Sequence, residues 1–591
     1  MKKPLLAFIV LSASLLGGYL SPLAGITSFF FLTVPLFFLV GPDIRLRKDE
    51  VASLLFALCG VASVFYSADK WGAILFSGSF IAGSLFYVTL RNSSDWEDVL
   101  LRALVIGGCI NGLVEALRQA NLIPYALFYN PNPFSGFLAP LVPVSLYLYA
   151  RERKKGYAVA AGLLVFANFI SGSRTGVFTM VLALIAVLVF FWRGKEGSAI
   201  KALLLTFVVG FCSFLVFSQV KDVLMVKGID GLTEKMPTGI IQREYILKVT
   251  LEIISQAPVL GHGLNSFRAV MSSLSNPYVV YPAIHAHSLY LNILAELGIV
   301  GFAPFLFFLW FVVRGPLRRA FLLKIALFSF LFHNIVEYNF PAPPFQMLFY
   351  LLCAAIMQGK EPEPALLRLR GWAGRIVPSF VALYFLVVHV VPLVGFLFLG
   401  RADAAFREGD VTKTFRYLLA STYFGYSVPV LHEQAAGVIA HVYFASNLKQ
   451  DDFLNIAEEN YMKALALNRM DGNLYVRIAD FYARTGRPAQ AEAYLLKVIN
   501  IYPYHQTYRL RLARFYAEQK RYAEATRILE ASDQFLKKYA ALHPERLDAL
   551  SGLATVYREQ GDLERSKEYL AQARRLAGQV DGPSAKGREN R

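Results

Sequence analysis

The chain has 591 residues, 56% of them hydrophobic and only 17% charged, with a mean hydropathy of +0.45. Soluble globular chains of this length are not so apolar, which excludes a wholly water-soluble protein. The net charge of +17 would point to nucleic acid in a soluble chain; in a membrane chain it reflects basic loops on the cytosolic side.

About thirteen membrane spans are predicted, near residues 4–20, 23–40, 51–67, 71–90, 98–118, 134–150, 156–172, 176–192, 200–218, 288–313, 319–338, 343–358 and 376–399. The first, MKKPLLAFIVLSASLLGGYL, has the look of a signal peptide but is read as a retained helix, because a second span follows at once. Cys59, Cys109, Cys212 and Cys353 all fall inside apolar runs, with the spacing of neither a disulfide framework nor a metal cluster. With the N-terminus inside, alternate loops carry Arg45, Arg47 and Lys48; Arg151, Arg153, Lys154 and Lys155; Arg193, Lys195 and Lys201; Arg314, Arg318 and Arg319; and Lys360, Arg368, Arg370 and Arg375. That is a positive-inside pattern. It places four segments outside: the turn NPNPFSG (Asn130 to Gly136), the turn SGSRTG (Ser171 to Gly176), the long stretch 219–287, and HNIVEYNFPAPP (His333 to Pro344). An odd number of spans puts the C-terminal part outside as well, in the periplasm or exterior of a bacterium.

In SGSRTG, Arg174 stands between two apolar spans, where a charge marks either function or an interfacial anchor, and Ser173 and Thr175 can cap the next helix. The stretch 219–287 is long beside the other loops. Within it, GIIQREYILKVTLEIISQ is expected to form a helix along the membrane surface, with Ile241, Tyr245, Leu247 and Leu251 near one face and Arg243 and Lys248 adding positive charge. PVLGHGLNSF ends that helix; His262 reads as structural. Then comes HAHSLYLNILAELGIVG. A helix starting near Ser288 leaves His285 and His287 just outside its first turn, where the positive end of the helix dipole suits a phosphate. His333, Asn334 and Glu337, and Glu296 in the helix before them, are candidates to support such a site from behind.

After Gly400 the composition turns rich in Arg, Glu, Ala and Tyr, without a span. Tyr475, Ile478, Ala479, Tyr482, Ala491, Leu495 and Pro503 fall at tetratricopeptide spacing; Arg509, Leu512, Ala513, Tyr516, Ala525 and Leu529 repeat it 34 residues on. A third unit holds Leu550, Leu553, Ala554, Tyr557, Ser566 and Leu570, and degenerate units are expected around Ala440 to Ala464 and Ala402 to Leu418. The fold class is therefore all-α: a polytopic membrane bundle over residues 1–400, then a soluble solenoid of helical hairpins over 401–577 and a disordered tail over 578–591. Such stacks usually bind a protein partner on their concave face.

The external face offers Arg174, Arg243, Lys248, His285 and His287, with few acids beyond Glu244, Glu252 and Glu296, and no DxD pair, HExxH or Walker loop. Arginines and histidines without clustered carboxylates suit a diphosphate bound without a metal or other cofactor. Arginine forks stabilise charge on a departing diphosphate, and a histidine accepts the proton of an attacking hydroxyl. Beside a lipid-lined bundle, that points to a polyprenyl-diphosphate carrier.

SGSRTG at a span junction, the arginine of QREYI, then GHGLNSF and HSLYLNILAELGIVG resemble the O-antigen ligase and Wzy polymerase superfamily, over a core of about 50–360. The resemblance implies a GT-C-like membrane glycosyltransferase that moves a glycan from undecaprenyl diphosphate to an acceptor hydroxyl without metal. It carries Arg174 and Arg243 over as the diphosphate-holding arginines and His287 as the residue that orients the diphosphate or activates the acceptor. His285, Tyr245 and Lys248 are added as substrate contacts. Ser288 stands where family members commonly have Asn. The expected setting is the bacterial cytoplasmic membrane and lipopolysaccharide or surface-polysaccharide assembly, with the glycan, lipid or protein acceptor left open. A Wzy-type polymerase and a protein O-oligosaccharyltransferase share the donor chemistry. A flippase would need charged or broken helices at mid-membrane, and these are few. A scaffold would not need so many spans.

Overall fold

The computed structural model describes residues 8, 10–12, 44–123, 128, 130–224, 238–274, 283–316, 320–358, 364–445, 451–539 and 544–580. It divides into two compact units: Met1–Asp230, Ile246–Asn265 and His285–Val390 form one; Gly231–Tyr245, Ser266–Ile284 and Val391–Arg591 form the other. Both are helical. The predicted spans near 4–20 and 23–40 and the predicted tail lie almost wholly outside the described residues.

In the first unit, a two-stranded antiparallel ribbon pairs β1 (Ile44–Leu46) with β2 (Leu367–Leu369), Arg45 opposite Arg368. The helices are α1 (Lys48–Ser63), α2 (Lys70–Arg91), α3 (Glu97–Gln119), α4 (Pro131–Leu138), α5 (Leu141–Glu152), α6 (Lys155–Ile170), α7 (Arg174–Arg193), α8 (Gly197–Leu224), α9 (Thr238–Gln256), α10 (Phe267–Ser273), α11 (Leu289–Val313), α12 (Phe321–His333), α13 (Pro343–Met357) and α14 (Trp372–Phe385); of these α10 and the start of α9 belong to the second unit. Among the described residues seven helices are long and apolar enough to cross a membrane, Lys70–Arg91, Glu97–Gln119, Pro131–Glu152, Arg174–Arg193, Gly197–Ser218, Leu289–Val313 and Pro378–Arg407, and α6, α12 and α13 are shorter apolar helices. This is a multi-pass membrane protein.

In lipid, helices gain little from hiding apolar side chains from one another, so close packing holds the bundle together. Aromatic rings supply it here. Phe56 of α1 meets Phe80 of α2 at 5.1 Å and Phe305 of α11 at 5.2 Å, and Tyr87 of α2 meets Phe308 of α11 edge-on at 5.0 Å. Each such pair contributes about 0.5–1.5 kcal/mol beyond area. Outward-facing Phe178, Ile185, Trp192, Phe207 and Val208 are exposed, as a lipid-facing surface requires.

The two ends of the bundle differ. At one, Arg91 donates to Asp49 at 3.2 Å and to the Met357 carbonyl at 2.8 Å, while Arg151 pairs with Asp98 at 2.6 Å and Arg102 with Glu152 at 2.6 Å. At the other, loops and helix starts meet. The Leu264 N–H donates to Ser63 Oγ at 3.1 Å, and Asn265 Nδ2 to Asp69 at 2.9 Å. GHG folds onto AELG there: the His262 and Gly263 N–H groups donate to the Ala295 and Glu296 carbonyls at 3.0 and 2.7 Å. Gly261 and Gly298 both have positive φ at this contact, and a Cβ on Gly298 would sit 2.3 Å from the Val259 carbonyl oxygen, so both must be glycine.

Helix α9 forms as expected, but Tyr245 and Leu247 do not share the one face expected of them. Ile246, Val249 and Ile253 are buried, whereas Leu247 and Leu251 are 43% and 52% exposed. Residues two apart, such as Tyr245 and Leu247, point about 200° apart on a helix and cannot share a stripe; spacings of three and four can. The side chain of Ile241 lies outside the described residues.

The second unit is built of hairpins: α15 (Val391–Arg407) with α16 (Val411–Phe424), α17 (Pro429–Ala445) with α18 (Asp451–Leu467), α19 (Gly472–Arg484) with α20 (Pro488–Ile501), α21 (Gln506–Glu518) with α22 (Tyr522–Tyr539), and α23 (Pro544–Glu559) with α24 (Leu563–Val580). Ala479, Ala491, Ala513 and Ala525 are fully buried, and their small size lets paired helices touch. A clamp recurs with the 34-residue period. Glu458 accepts from Tyr482 Oη and Arg487, each at 2.8 Å; Glu492 accepts from Tyr516 Oη at 2.8 Å and Arg521 at 2.7 Å. Glu530 accepts from Tyr557 Oη at 2.9 Å in the third unit.

Candidate functional site

The site is assembled at the loop-bearing end of the first unit. Ser173 caps α7: its Oγ accepts from the Gly176 N–H at 3.1 Å, which leaves Arg174 as the first helical residue with its side chain exposed. Such a cap is worth about 1 kcal/mol. The same hydroxyl donates to Asn132 Oδ1 at 2.8 Å. Asn132 sits in the first turn of α4, capped by Asn130, and its Nδ2 donates to Glu337 Oε1 at 2.7 Å. The other oxygen of Glu337 lies 3.9 Å from His287 Nδ1. A line of polar side chains thus leads from the start of α7, where Arg174 begins, to the imidazole of His287.

Small residues let these elements converge. A Cβ on Gly176 would fall 1.6 Å from Ser135 Oγ, and one on Gly136 would fall 2.6 Å from the His333 ring. Gly136 and Gly176 therefore mark where α4 presses on α12 and α7. Ser135 donates to Asn168 Oδ1 at 2.7 Å, fixing α4 to α6 from below.

His287 takes the left-handed backbone region, with φ of 49°. Its N–H donates to His285 Nδ1 at 3.3 Å, and the two rings stand 4.5 Å apart at 70°. His285 also meets the Tyr338 ring at 5.6 Å. Burial, helped by the neighbouring His287, pushes the His285 pKa down to about 4 against the opposing pull of Glu337. His285 is therefore a neutral acceptor at pH 7, with its proton on Nε2. The Ala286 N–H donates to Asn292 Oδ1 at 3.0 Å and the Leu289 N–H to the Asn334 carbonyl at 2.9 Å. The histidine loop is thus tied down on both sides of Ser288, whose own side chain makes no cap bond.

The first unit gathers Arg174 (by its backbone), His285, His287, His333, Asn334 and Glu337 at this end. Asn334 acts through its carbonyl and holds α11; His333 is fully buried against Gly136. Glu296 is buried two residues before the Gly298 kink, where its carbonyl receives the GHG loop. Lys248 is exposed on α9 in the same unit, whereas Arg243 and Tyr245 belong to the second unit. Sequence reasoning passed over Asn132. The signal was there: in NPNP the first Asn suffices as the helix cap, so the second is available for another task.

Fold and site define a polytopic helical membrane protein with a polar, histidine-bearing end and a C-terminal helical-repeat solenoid. Residues 159–306 match the O-antigen ligase family, and residues 472–505 and 504–579 match tetratricopeptide repeats. The chain carries an O-antigen ligase domain followed by tetratricopeptide repeats, and the matched ligase segment contains Arg174, Arg243, His285 and His287. No curated protein matches. Among solved structures, the chain is similar to PilW, a type IV pilus biogenesis factor (21% identity, 31% of this chain and 78% of that one, TM-score 0.23). It is also similar to Pseudomonas aeruginosa pilF (16%, 32% and 93%, 0.20) and to a human IFIT1 dimer with PPP-AAAA (14%, 80% and 95%, 0.21).

Proposed function

We propose that the protein is a glycosyltransferase that moves a glycan from undecaprenyl diphosphate to an acceptor hydroxyl at the non-cytosolic face of a bacterial cytoplasmic membrane. The observation that carries this reading is the connected line Ser173–Asn132–Glu337–His287, which sets a helix-start arginine and a carboxylate-backed imidazole on one end of a lipid-embedded bundle. With Nδ1 toward Glu337, Nε2 of His287 is the ring nitrogen turned to substrate. The acceptor oxygen attacks the anomeric carbon and gives its proton to Nε2. The carbon–oxygen bond to the diphosphate breaks, and undecaprenyl diphosphate leaves with the electron pair. Glu337 stabilises the imidazolium as it forms. Arg174 holds the diphosphate and offsets its growing charge. His285 and Lys248 contact substrate; His333, Asn334, Glu337 and Glu296 hold the frame.

Reconstituted protein supplied with an undecaprenyl-diphosphate-linked glycan tests this. Expected is release of undecaprenyl diphosphate that depends on an added acceptor. A lipid-anchored acceptor, a growing carrier-linked chain or a protein hydroxyl then separates ligase, polymerase and protein glycosyltransferase. Carrier-linked glycan that only crosses the bilayer, uncleaved, overturns the enzyme in favour of a transporter.

A further inference from the structure

The last apolar run, Pro378 to Gly400, has 23 residues and belongs to the membrane-crossing helix Pro378–Arg407. At about 1.5 Å per residue it extends about 34 Å, slightly more than the hydrocarbon core. Residues 395–400 therefore come out at a membrane surface. The helix runs on to Arg407, and the chain then comes back to that surface. Helix α16 turns straight back along α15: Phe398 stacks on Phe424 at 5.6 Å and 7°, and a Cβ on Gly395 would lie 2.8 Å from the Ser421 carbonyl oxygen and 2.9 Å from the Gly425 nitrogen. The C-terminal end of α16 is returned to the level at which the span emerges.

At that level the hairpin is apolar on the outside. Leu397, Leu419, Tyr423 and Tyr426 are 70%, 62%, 76% and 56% exposed. Arg416, Leu419 and Tyr423 follow one another at spacings of three and four, so one stripe of α16 runs from a cation to a tyrosine as it descends. Tyrosine with its ring in the apolar layer and its hydroxyl in water, below a cation that reaches phosphates, is the pattern of a membrane–water interface. Tyr423 and Tyr426 also wall an open groove of about 540 Å³ that Lys463 edges. The Tyr426 turn is held in place: His432 Nε2 lies 3.2 Å from the Tyr426 carbonyl and its Nδ1 2.9 Å from Asn460 Oδ1.

We propose that the edge of the first solenoid hairpin formed by Leu419, Tyr423 and Tyr426 is seated in the interfacial layer of the membrane, with Arg416 and Lys463 meeting lipid phosphates. The partner of this surface is the lipid itself. The inference is independent of the transfer chemistry, and its test involves no turnover.

An environment-sensitive fluorescent amino acid placed at Tyr423, or at Leu419 in a second variant, in the full chain in nanodiscs reads the surroundings directly. Ser551, exposed on α23, serves as the reference position. With spin-labelled headgroups in the disc, probes at 419 and 423 should be quenched at least about threefold more than the probe at 551, and aqueous iodide should show the reverse order. Equal quenching by iodide at all three positions, with indifference to the lipid label, overturns the proposal. Shielding that appears only when free glycan is added also overturns it, because the edge would then be a sugar-binding face. The two probe positions guard against a variant that misfolds: each must keep the parent's size-exclusion profile before it is counted.

Discussion

The protein uses a buffered carboxylate twice, in two regions and to opposite ends. In the solenoid, Glu458 and Glu492 are each closed by a tyrosine hydroxyl and an arginine within 2.8 Å, and the arrangement repeats with the period of the fold. In the bundle, Glu337 receives Asn132 at 2.7 Å on one oxygen, while the other stands 3.9 Å from an imidazole that is one-third exposed. A closed clamp is finished work and serves stability. In the proposed transfer this carboxylate stands behind Nδ1 and steadies the ring while Nε2, on the far side, takes the proton.

That contrast can be broken by substitution, most severely at the arginine. Arg174→Ala should lower transfer by about 100-fold or more, the scale of removing one charge-stabilising donor, with membrane insertion unchanged. Normal transfer at normal expression removes the arginine from the mechanism. Glu337→Gln should lower kcat by about tenfold, since the imidazolium loses its counter-charge while the Asn132 contact is kept. Asn132→Ala should cost about fivefold, the worth of an ordinary hydrogen bond, and a loss as large as that of Arg174→Ala would mean that α4 itself has moved.

Acid should separate the regions further. The His285 pKa is depressed from 6.5 to about 4 in the folded chain, so the unfolded chain binds that proton more readily. The stability concerned is full above about pH 6.5 and is lost as pH falls toward 4. His285→Gln should therefore shrink the drop in Tm between pH 7 and about pH 5 by a few degrees. An identical drop in parent and variant would show that His285 is not held neutral by burial. Smallest of all, Tyr516→Phe opens one solenoid clamp and should cost about 1 kcal/mol in the melting of the repeats, with transfer per folded molecule unaltered.

The fold was open to sequence reasoning because its signals are long-range averages: span-length apolar runs, and alanines and tyrosines returning every 34 residues. The site was open only in part. Arg174, His285 and His287 stand out because charge and imidazole are rare beside apolar helices. Glu337 was noticed as support, yet the structure sets it directly beside His287. Asn132 was passed over because an asparagine in a turn is usually a cap, although Asn130, two residues earlier, already fills that role. The stripe of α9 failed for a simpler reason: two-residue spacing was credited to a face that only three- and four-residue spacing can build.

The positive φ of His287 has one further consequence. A side chain at that position holds the main chain in a conformation that glycine adopts freely, so this residue is kept against the backbone's own preference. His287→Gly should then be an inactivating replacement that folds at least as well as the parent. It would also leave a vacancy shaped for imidazole, and small-molecule imidazole in the buffer should restore part of the lost transfer if the ring, rather than its tether, is what the reaction needs.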